Sequence, residues 1–229
     1  MKIFKDPQSQ PVMTGDGSHT LYHPVLKEHY HSLEGSLQES EHIYIGLGLQ
    51  SKLELLAEGR ELKVFEVGFG TGLNALLTWR IVDRLKRAIA YTGIEAYPVD
   101  QEQAGLLNYG DLIEADAPEI LHKSEWGRRE ALSPFFSFEK INGFLQEYSG
   151  GEKYDVVYFD AFSPGSQPEL WTPEIFRCIG EMMSEGAYLV TYSSKGSVRR
   201  ALKEAGFAVE KHPGPGRKRE VIRAIRRSL

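Results

Sequence analysis

From about residue 61 the chain alternates between two patterns. Short apolar runs read as strands: KVFEV (63–67), AIAYTGIEA (88–96), SPFFSFEKI (133–141), YDVVYFDAF (154–162), GAYLVTYS (186–193), FAVEKH (207–212) and EVIRAIRR (220–227). Between them lie segments with apolar residues three and four apart. LNALLTWRIVDRLK carries them at 73, 76, 77, 81 and 85, and a second helical pattern starts at Val99. TPEIFRCIGEMM has Thr172 as N-cap, Pro173 in the first turn and Glu174 behind it, and GSVRRALKEAGF is a helix ended by Gly206. Strands alternating with helices predict an α/β fold: a doubly wound, mostly parallel sheet of seven strands with helices on both faces. The last two strands have no helix between them, so one of them should run antiparallel.

The first 60 residues follow neither pattern. TGDGSHTLYHP has the turn chemistry of a hairpin. LKEHYHSLEGSLQESEHIYIGLGL reads as broken helix, and LGLQSKLELLAEG as a helix leading to Gly59. The expected organisation is an N-terminal extension, 1–60, capping the pocket of a domain at 61–229.

Composition narrows the class. The chain has 229 residues, 41% hydrophobic and 26% charged, ordinary for a soluble domain. No apolar run reaches the ~20 residues that span a bilayer, and MKIFKDPQSQP has no apolar leader core, so a cytoplasmic protein with no membrane partner is expected. The one cysteine, Cys178, excludes an internal disulfide and reads as a buried packing residue. Net charge is −5, yet from Lys195 onward eleven Lys and Arg face three Asp and Glu. That basic sixth is either a solvated face or a landing surface for a polyanion.

The stretch EVGFGTGLN (66–74) decides what the fold binds. Its glycines are spaced G-x-G-x-G, not the G-x-G-x-x-G of a dinucleotide loop, and Glu66 stands at the strand end. A carboxylate there repels a pyrophosphate and accepts a hydrogen bond from an ammonium. Glu95, at the end of the next strand, can hold two ribose hydroxyls. An amino-acid end plus a ribose, with no phosphate, is S-adenosylmethionine. The expected cofactor set is Glu66, Gly68, Gly70, Thr71, Gly72, Asn74, Glu95 and Asp160.

YFDAFSPGSQPELWT continues past the fourth strand. Asp160 there needs a partner if buried. An amine acceptor supplies one, and the carboxylate would orient the amine lone pair and stabilise the charge formed on methylation. Phe162, Pro164 and Trp171 follow; the rings stack on a flat substrate or merely pack the loop. Five of seven histidines precede residue 43, but no HExxH or Cys/His spacing supports a metal, and none is expected.

The motifs VFEVGFGTGLNALLTW, DAFSP with PELWT, and SVRRALKEAGFAVEKHPGPGRKRE together resemble the methyltransferase half of the bifunctional tRNA wobble-uridine modification enzymes of the MnmC family, whose stand-alone form is MnmD. The likeness runs from about residue 20 to the end. It implies a seven-stranded Rossmann-like methyltransferase that uses S-adenosylmethionine to convert 5-aminomethyl-2-thiouridine in a tRNA anticodon stem-loop to its methylaminomethyl form. It further implies Glu66, Gly68, Gly70, Gly72 and Glu95 at the cofactor and Asp160 at the amine. The bifunctional enzymes also carry a C-terminal flavin oxidoreductase domain, and none is expected in this chain. On this reading Arg199, Arg200, Arg217, Lys218 and Arg219 meet RNA phosphates, and Tyr30 and Glu39 join the pocket. A small amine such as a polyamine is the alternative acceptor, and a non-catalytic binding module is the alternative class.

Overall fold

The computed structural model describes residues 9–113 and 116–227. Residues 1–8, which carry most of the expectation about a leader, lie outside the described residues, as do 114 and 115 in the stretch between strands that the pattern leaves unread.

Strands β1 (Gln10–Met13), β2 (His19–His23) and β3 (Glu28–His29) make a small antiparallel sheet. The β1–β2 turn is the expected hairpin, and the Asp16 carboxylate closes it by accepting from the Ser18 N–H at 3.0 Å and the Thr14 hydroxyl at 2.8 Å. A helical stretch follows: α1 (Ser36–Ser40), then ten residues in π register, Glu41–Gln50, then α2 (Ser51–Leu53). The helix expected to reach Gly59 therefore stops at Leu53. Leu55 and residues 57–60 face solvent and only Leu56 packs partly on the core, so little packing holds this segment helical.

The main sheet comprises β4 (Leu62–Val67), β5 (Ile89–Glu95), β6 (Glu130–Ala131), β7 (Phe136–Asn142), β8 (Tyr154–Phe159), β9 (Met183–Thr191), β10 (Phe207–Pro213) and β11 (Glu220–Arg226). Its order is β10-β11-β9-β8-β4-β5-β7-β6. All pairs from β9 to β7 are parallel, while β11 runs antiparallel to both neighbours. The count is eight strands against the seven expected. The extra one, β6, is a two-residue antiparallel edge, too short and too polar to leave a periodic trace.

Helix α3 (Leu73–Leu85) follows β4 directly. The shorter α4 (Gln101–Ala104), α5 (Tyr109–Leu112) and α6 (Ala117–Lys123) follow β5, with α7 (Pro173–Glu181) and α8 (Gly196–Glu204) flanking β9. Alternate residues of the central strands feed opposite cores. Val64, Val156 and Tyr158 pack with α3 and the π-register stretch; Phe65, Val157 and Phe159 pack with Phe176 and Ile179 of α7 and Val198 and Leu202 of α8. Each fully buried aliphatic or aromatic side chain contributes roughly 1.5–3 kcal/mol. Cys178 is exposed, contrary to expectation: α7 turns Ile175, Phe176, Ile179 and Gly180 to the sheet and leaves Arg177 and Cys178 outside. Among the described residues no helix is long and apolar enough to cross a membrane, and no group of His, Cys, Asp or Glu is arranged to hold a metal ion.

Candidate active site

The strand order reverses between β4 and β8. In open parallel sheets that switch leaves a crevice at the carboxyl ends of the strands. A cavity of about 400 Å³ lies there, reached by the residues just past β4, β5, β7, β8 and β9. Lys27 to Ser32 and Glu39, from the N-terminal segment, form its opposite wall.

The glycine loop is shaped by contacts that admit no side chain. At Gly68, with φ +86°, an added Cβ would fall 2.7 Å from the Asp160 carbonyl oxygen. At Gly70, with φ +50°, it would meet the Tyr30 ring at 3.0 Å. Glu95 is fastened to this loop: its Oε2 accepts from the Gly70 N–H and its Oε1 from the Tyr97 N–H, both at 2.9 Å. A carboxylate oxygen has further lone pairs, so Glu95 can still accept hydroxyl donors from the cavity.

A chain of hydrogen bonds runs beneath the loop. The Tyr91 hydroxyl donates to Glu66 Oε2 at 2.7 Å. Asn74 Nδ2 donates to Glu66 Oε1 and to Asp160 Oδ2, each at 2.9 Å. The Tyr44 hydroxyl, from the π-register stretch, donates to Asp160 Oδ1 at 2.6 Å. Enclosure by protein raises the Asp160 carboxyl to about pKa 7; the bonds from Tyr44 and Asn74 and the charge of Lys218 pull it down, and Glu39 pushes it up. Burial likewise lifts Glu66 well above the ordinary carboxylate range, with Tyr91 and Asn74 opposing the lift.

The expected cofactor set divides in two. Gly68, Gly70, Glu95 and Asp160 line the cavity. Glu66 has no exposed surface and both oxygens satisfied, so it sits under the loop and not in the cavity. Asn74 ties the two carboxylates together at 2% exposure, and the Thr71 hydroxyl lies 2.8 Å from His31 Nε2. Gly72, left-handed at φ +76°, starts α3. The glycine pattern locates the loop but not which of its side chains turn inward, because that depends on Asn74 and Tyr91 taking up Glu66.

The expected substrate set divides too. Tyr30, Glu39, Phe162 and Lys218 line the cavity, with Tyr30 and Phe162 edge to face at 4.9 Å. Trp171 is corrected from a stacking surface to a core residue: it is 6% exposed, packs on Phe159 and donates its indole N–H to the Phe162 carbonyl. Pro164 sits in the loop outside the cavity lining. The side chains of the basic turn go to different places. Lys218 turns inward to ion-pair with Glu39 and lies over the Tyr192 ring at 4.7 Å, while Arg217 is held at Glu34 with its N–H 3.1 Å from Oε2. Arg199, Arg200 and Arg219 stay outside the cavity. The sequence reading omits Tyr44 altogether; no motif marks a tyrosine that meets its partner 116 residues away. It also omits Glu28, which accepts from the Ser163 N–H at 3.0 Å and from the Ser163 hydroxyl and so clips the wall to the loop after β8.

The early histidines have separate partners. His19 meets the Leu106 carbonyl, His42 the Pro213 carbonyl, and His23 Nδ1 accepts from the Leu26 N–H. Burial holds His31 down near pKa 4, hence neutral.

The cavity suits S-adenosylmethionine by its donor set. Glu28, Glu39, Glu95, Asp160 and Glu169 outnumber Lys27 and Lys218 on its lining, so it is acidic and disfavours phosphates, and Glu95 offers acceptors for a diol.

Residues 129–227 match a family described as S-adenosyl-L-methionine-dependent methyltransferases. The chain is 33% identical over 218 residues to the tRNA 5-methylaminomethyl-2-thiouridine biosynthesis bifunctional protein MnmC of Nitrosospira multiformis, covering 88% of this chain and 34% of that protein. It is 32% identical over 240 residues to the MnmC of Ralstonia nicotianae, covering 96% and 34%. It thus spans about a third of the length of these curated relatives. The crystal structure of MNMC2 from Aquifex Aeolicus superposes with a TM-score of 0.79 at 24% identity, over 97% of this chain and 71% of that one.

Proposed function

We propose, from the premise that the chain belongs to the S-adenosyl-L-methionine-dependent methyltransferases by family and fold, that it N-methylates the aminomethyl group of wobble 5-aminomethyl-2-thiouridine in the tRNA anticodon stem-loop. The product is the 5-methylaminomethyl nucleoside. The observation that carries the reading is Asp160: a carboxylate at the strand switch point, open to the cavity, with each oxygen held by one neutral donor. The name of the relatives supplies the tRNA nucleoside.

When bound, S-adenosylmethionine supplies an electrophilic methyl group. Glu95 and the backbone of Gly68 and Gly70 would hold it. Glu66, Thr71, Gly72 and Asn74 act one layer behind, by fixing the loop. The acceptor nitrogen must present a free lone pair, so an ammonium is unreactive. Asp160, titrating near 7, is about half ionised at neutral pH, and in its ionised form it accepts a hydrogen bond from an N–H of the neutral amine, leaving the lone pair free. Its charge then stabilises the cation that develops on nitrogen as the N–C bond forms. Tyr44 and Asn74 position the carboxylate. Tyr30 and Phe162 pack the flat base, and the segment before residue 60 serves as the cap that excludes water.

The test is incubation with radiolabelled cofactor and tRNA lacking the modification, followed by nucleoside analysis. Label in 5-methylaminomethyl-2-thiouridine is expected. No label in RNA, with label in a small polyamine, would favour the second reading, which the acidic cavity also suits.

A further inference from the structure

The cations of the C-terminal sixth are not equivalent. Arg217 is at Glu34, Lys218 at Glu39, Lys211 at Glu220 and Arg223 at Glu210, so each of these four has a carboxylate partner. Among the described residues Lys195, Arg199, Arg200 and Arg219 form no ion pair with a carboxylate.

These four stand around one feature. A groove of about 500 Å³ is lined by Tyr192, Ser193, Ser194, Lys195, Lys218 and Arg219. Tyr192 and Lys218 also line the cavity, so the groove opens off it. Glu220 is the one acid on its rim, and that carboxylate is engaged by Lys211 at 2.9 Å. The guanidinium groups of Arg199 and Arg200 approach from α8: a Cβ on Gly196 would lie 3.8 and 3.3 Å from them. The groove therefore offers Lys195 and Arg219 on its surface, neither in a direct ion pair although Lys195 also feels the Glu28 carboxylate, with Arg199 and Arg200 beside it near Gly196. Contrast the cavity, whose lining is acidic. A ligand that spans both must be cationic or amine-bearing at one end and anionic at the other.

We propose that this groove is a phosphodiester subsite. It receives a backbone phosphate of a nucleotide flanking the target nucleoside while the target's amine enters the cavity. The proposal rests on the RNA reading above and names which cations serve it: Lys195 and Arg219 first, with Arg199 and Arg200 behind. The inward-turned Lys218 marks the border between the two.

The experiment uses the full chain with paired substitutions Lys195→Ala and Arg219→Ala, and separately Lys195→Glu and Arg219→Glu. Both residues are exposed, and melting curves check that each variant folds as the parent does. Affinity for a stem-loop RNA carrying the target nucleoside is measured over a salt series, alongside cofactor affinity and methyl transfer to the free nucleoside, which has no phosphate. Arg177→Ala, a cation already paired with Glu174 and Glu204, is the control. The alanine pair should bind RNA about tenfold more weakly at low salt, and its salt slope should flatten by about one unit for each phosphate that is no longer engaged. The glutamate pair should bind more weakly still. Cofactor affinity, nucleoside methylation and the control should not change. If the parent binds RNA with a steep salt slope and the alanine and glutamate pairs match it, the subsite is overturned and the RNA reading stands. If the parent itself binds no RNA at any salt, the RNA reading falls and the subsite with it.

Discussion

The floor and the wall of the cavity acquire their chemistry differently. On the floor, Gly68, Glu95 and Asp160 stand at or just past strand ends, and the parallel ladder of β5, β4 and β8 brings them to one point. The wall is assembled by side-chain pairs, one local, the His31 N–H on the Thr20 hydroxyl, and two long-range, Glu28 on Ser163 and Glu39 on Lys218. The two regions meet on Asp160. Asn74 of the floor holds one oxygen and Tyr44, from the helical stretch behind the wall, holds the other. The floor carries the Asp160 carboxylate, whose pKa is raised by enclosure, and the wall side adds Tyr44, whose bond lowers it, and Glu39, whose charge raises it.

The largest effect should come from the floor. Asp160→Asn keeps the size of the side chain and removes its charge. Single-turnover methylation should slow by roughly 10²–10³, as when one preorganised electrostatic donor or acceptor is removed. A variant at the parental rate would detach the floor carboxylate from the chemistry.

Tyr44→Phe tests the coupling from the other side. It removes a hydrogen bond that lowers the Asp160 pKa, so the pH at which the rate reaches half its plateau should move up from about 7. The rate at pH 7 should fall about tenfold, as for a hydrogen bond to a charged group, and the deficit should shrink at pH 8.5. A deficit that is the same at every pH would mean that Tyr44 supports packing only. Glu39→Gln should do the reverse on a smaller scale. Glu39 raises the Asp160 pKa, so its neutralisation should shift the rate profile to lower pH with a change of a few-fold at pH 6. Profiles that move the same way in both variants would break the comparison.

The smallest effect is on stability. The folded Asp160 carboxyl titrates near 7 against an ordinary 3.8, so between these values the folded chain holds a proton that the unfolded chain has released. The stability this contributes is present at low pH and is lost as pH rises through about 7. Asp160→Asn escapes that loss. Its melting temperature relative to the parent should therefore rise by a few degrees between pH 5 and pH 8. A difference that stays constant across that range would argue against the raised carboxyl.

Most of the floor was legible in the sequence because its determinants are local. An apolar run, a glycine turn and a helix fix where Gly68, Glu95 and Asp160 point, and the Thr172–Pro173 helix start appears as read, with Thr172 accepting from the Ile175 N–H. Which neighbours turn inward was not legible. Glu66 sits one strand position from Val67, and only the Tyr91 and Asn74 donors take it below the loop. Trp171 carries the same aromatic signal as Phe162, yet the first faces α7 and the second the cavity. Arg217, Lys218 and Arg219 carry the same charge on paper, while Glu34 and Glu39 sort them by side chain. Tyr44 was invisible because it lies in EHIYIGLGLQ, which neither a strand nor an α-helical period describes.

That stretch has a consequence for how the protein tolerates change. Bonds in π register skip five residues where an α-helix skips four, so Glu41–Gln50 winds more loosely than the turns on either side. A single-residue deletion before Tyr44 would let the coil tighten, and each α-helical residue swings the next by about 100°. The phenol would be dialled away from Asp160 without any change in the chemistry of the cavity lining. Chain length in this segment is thus a tuning screw for the carboxylate, and a change in length here should cost more than most changes in amino-acid identity nearby.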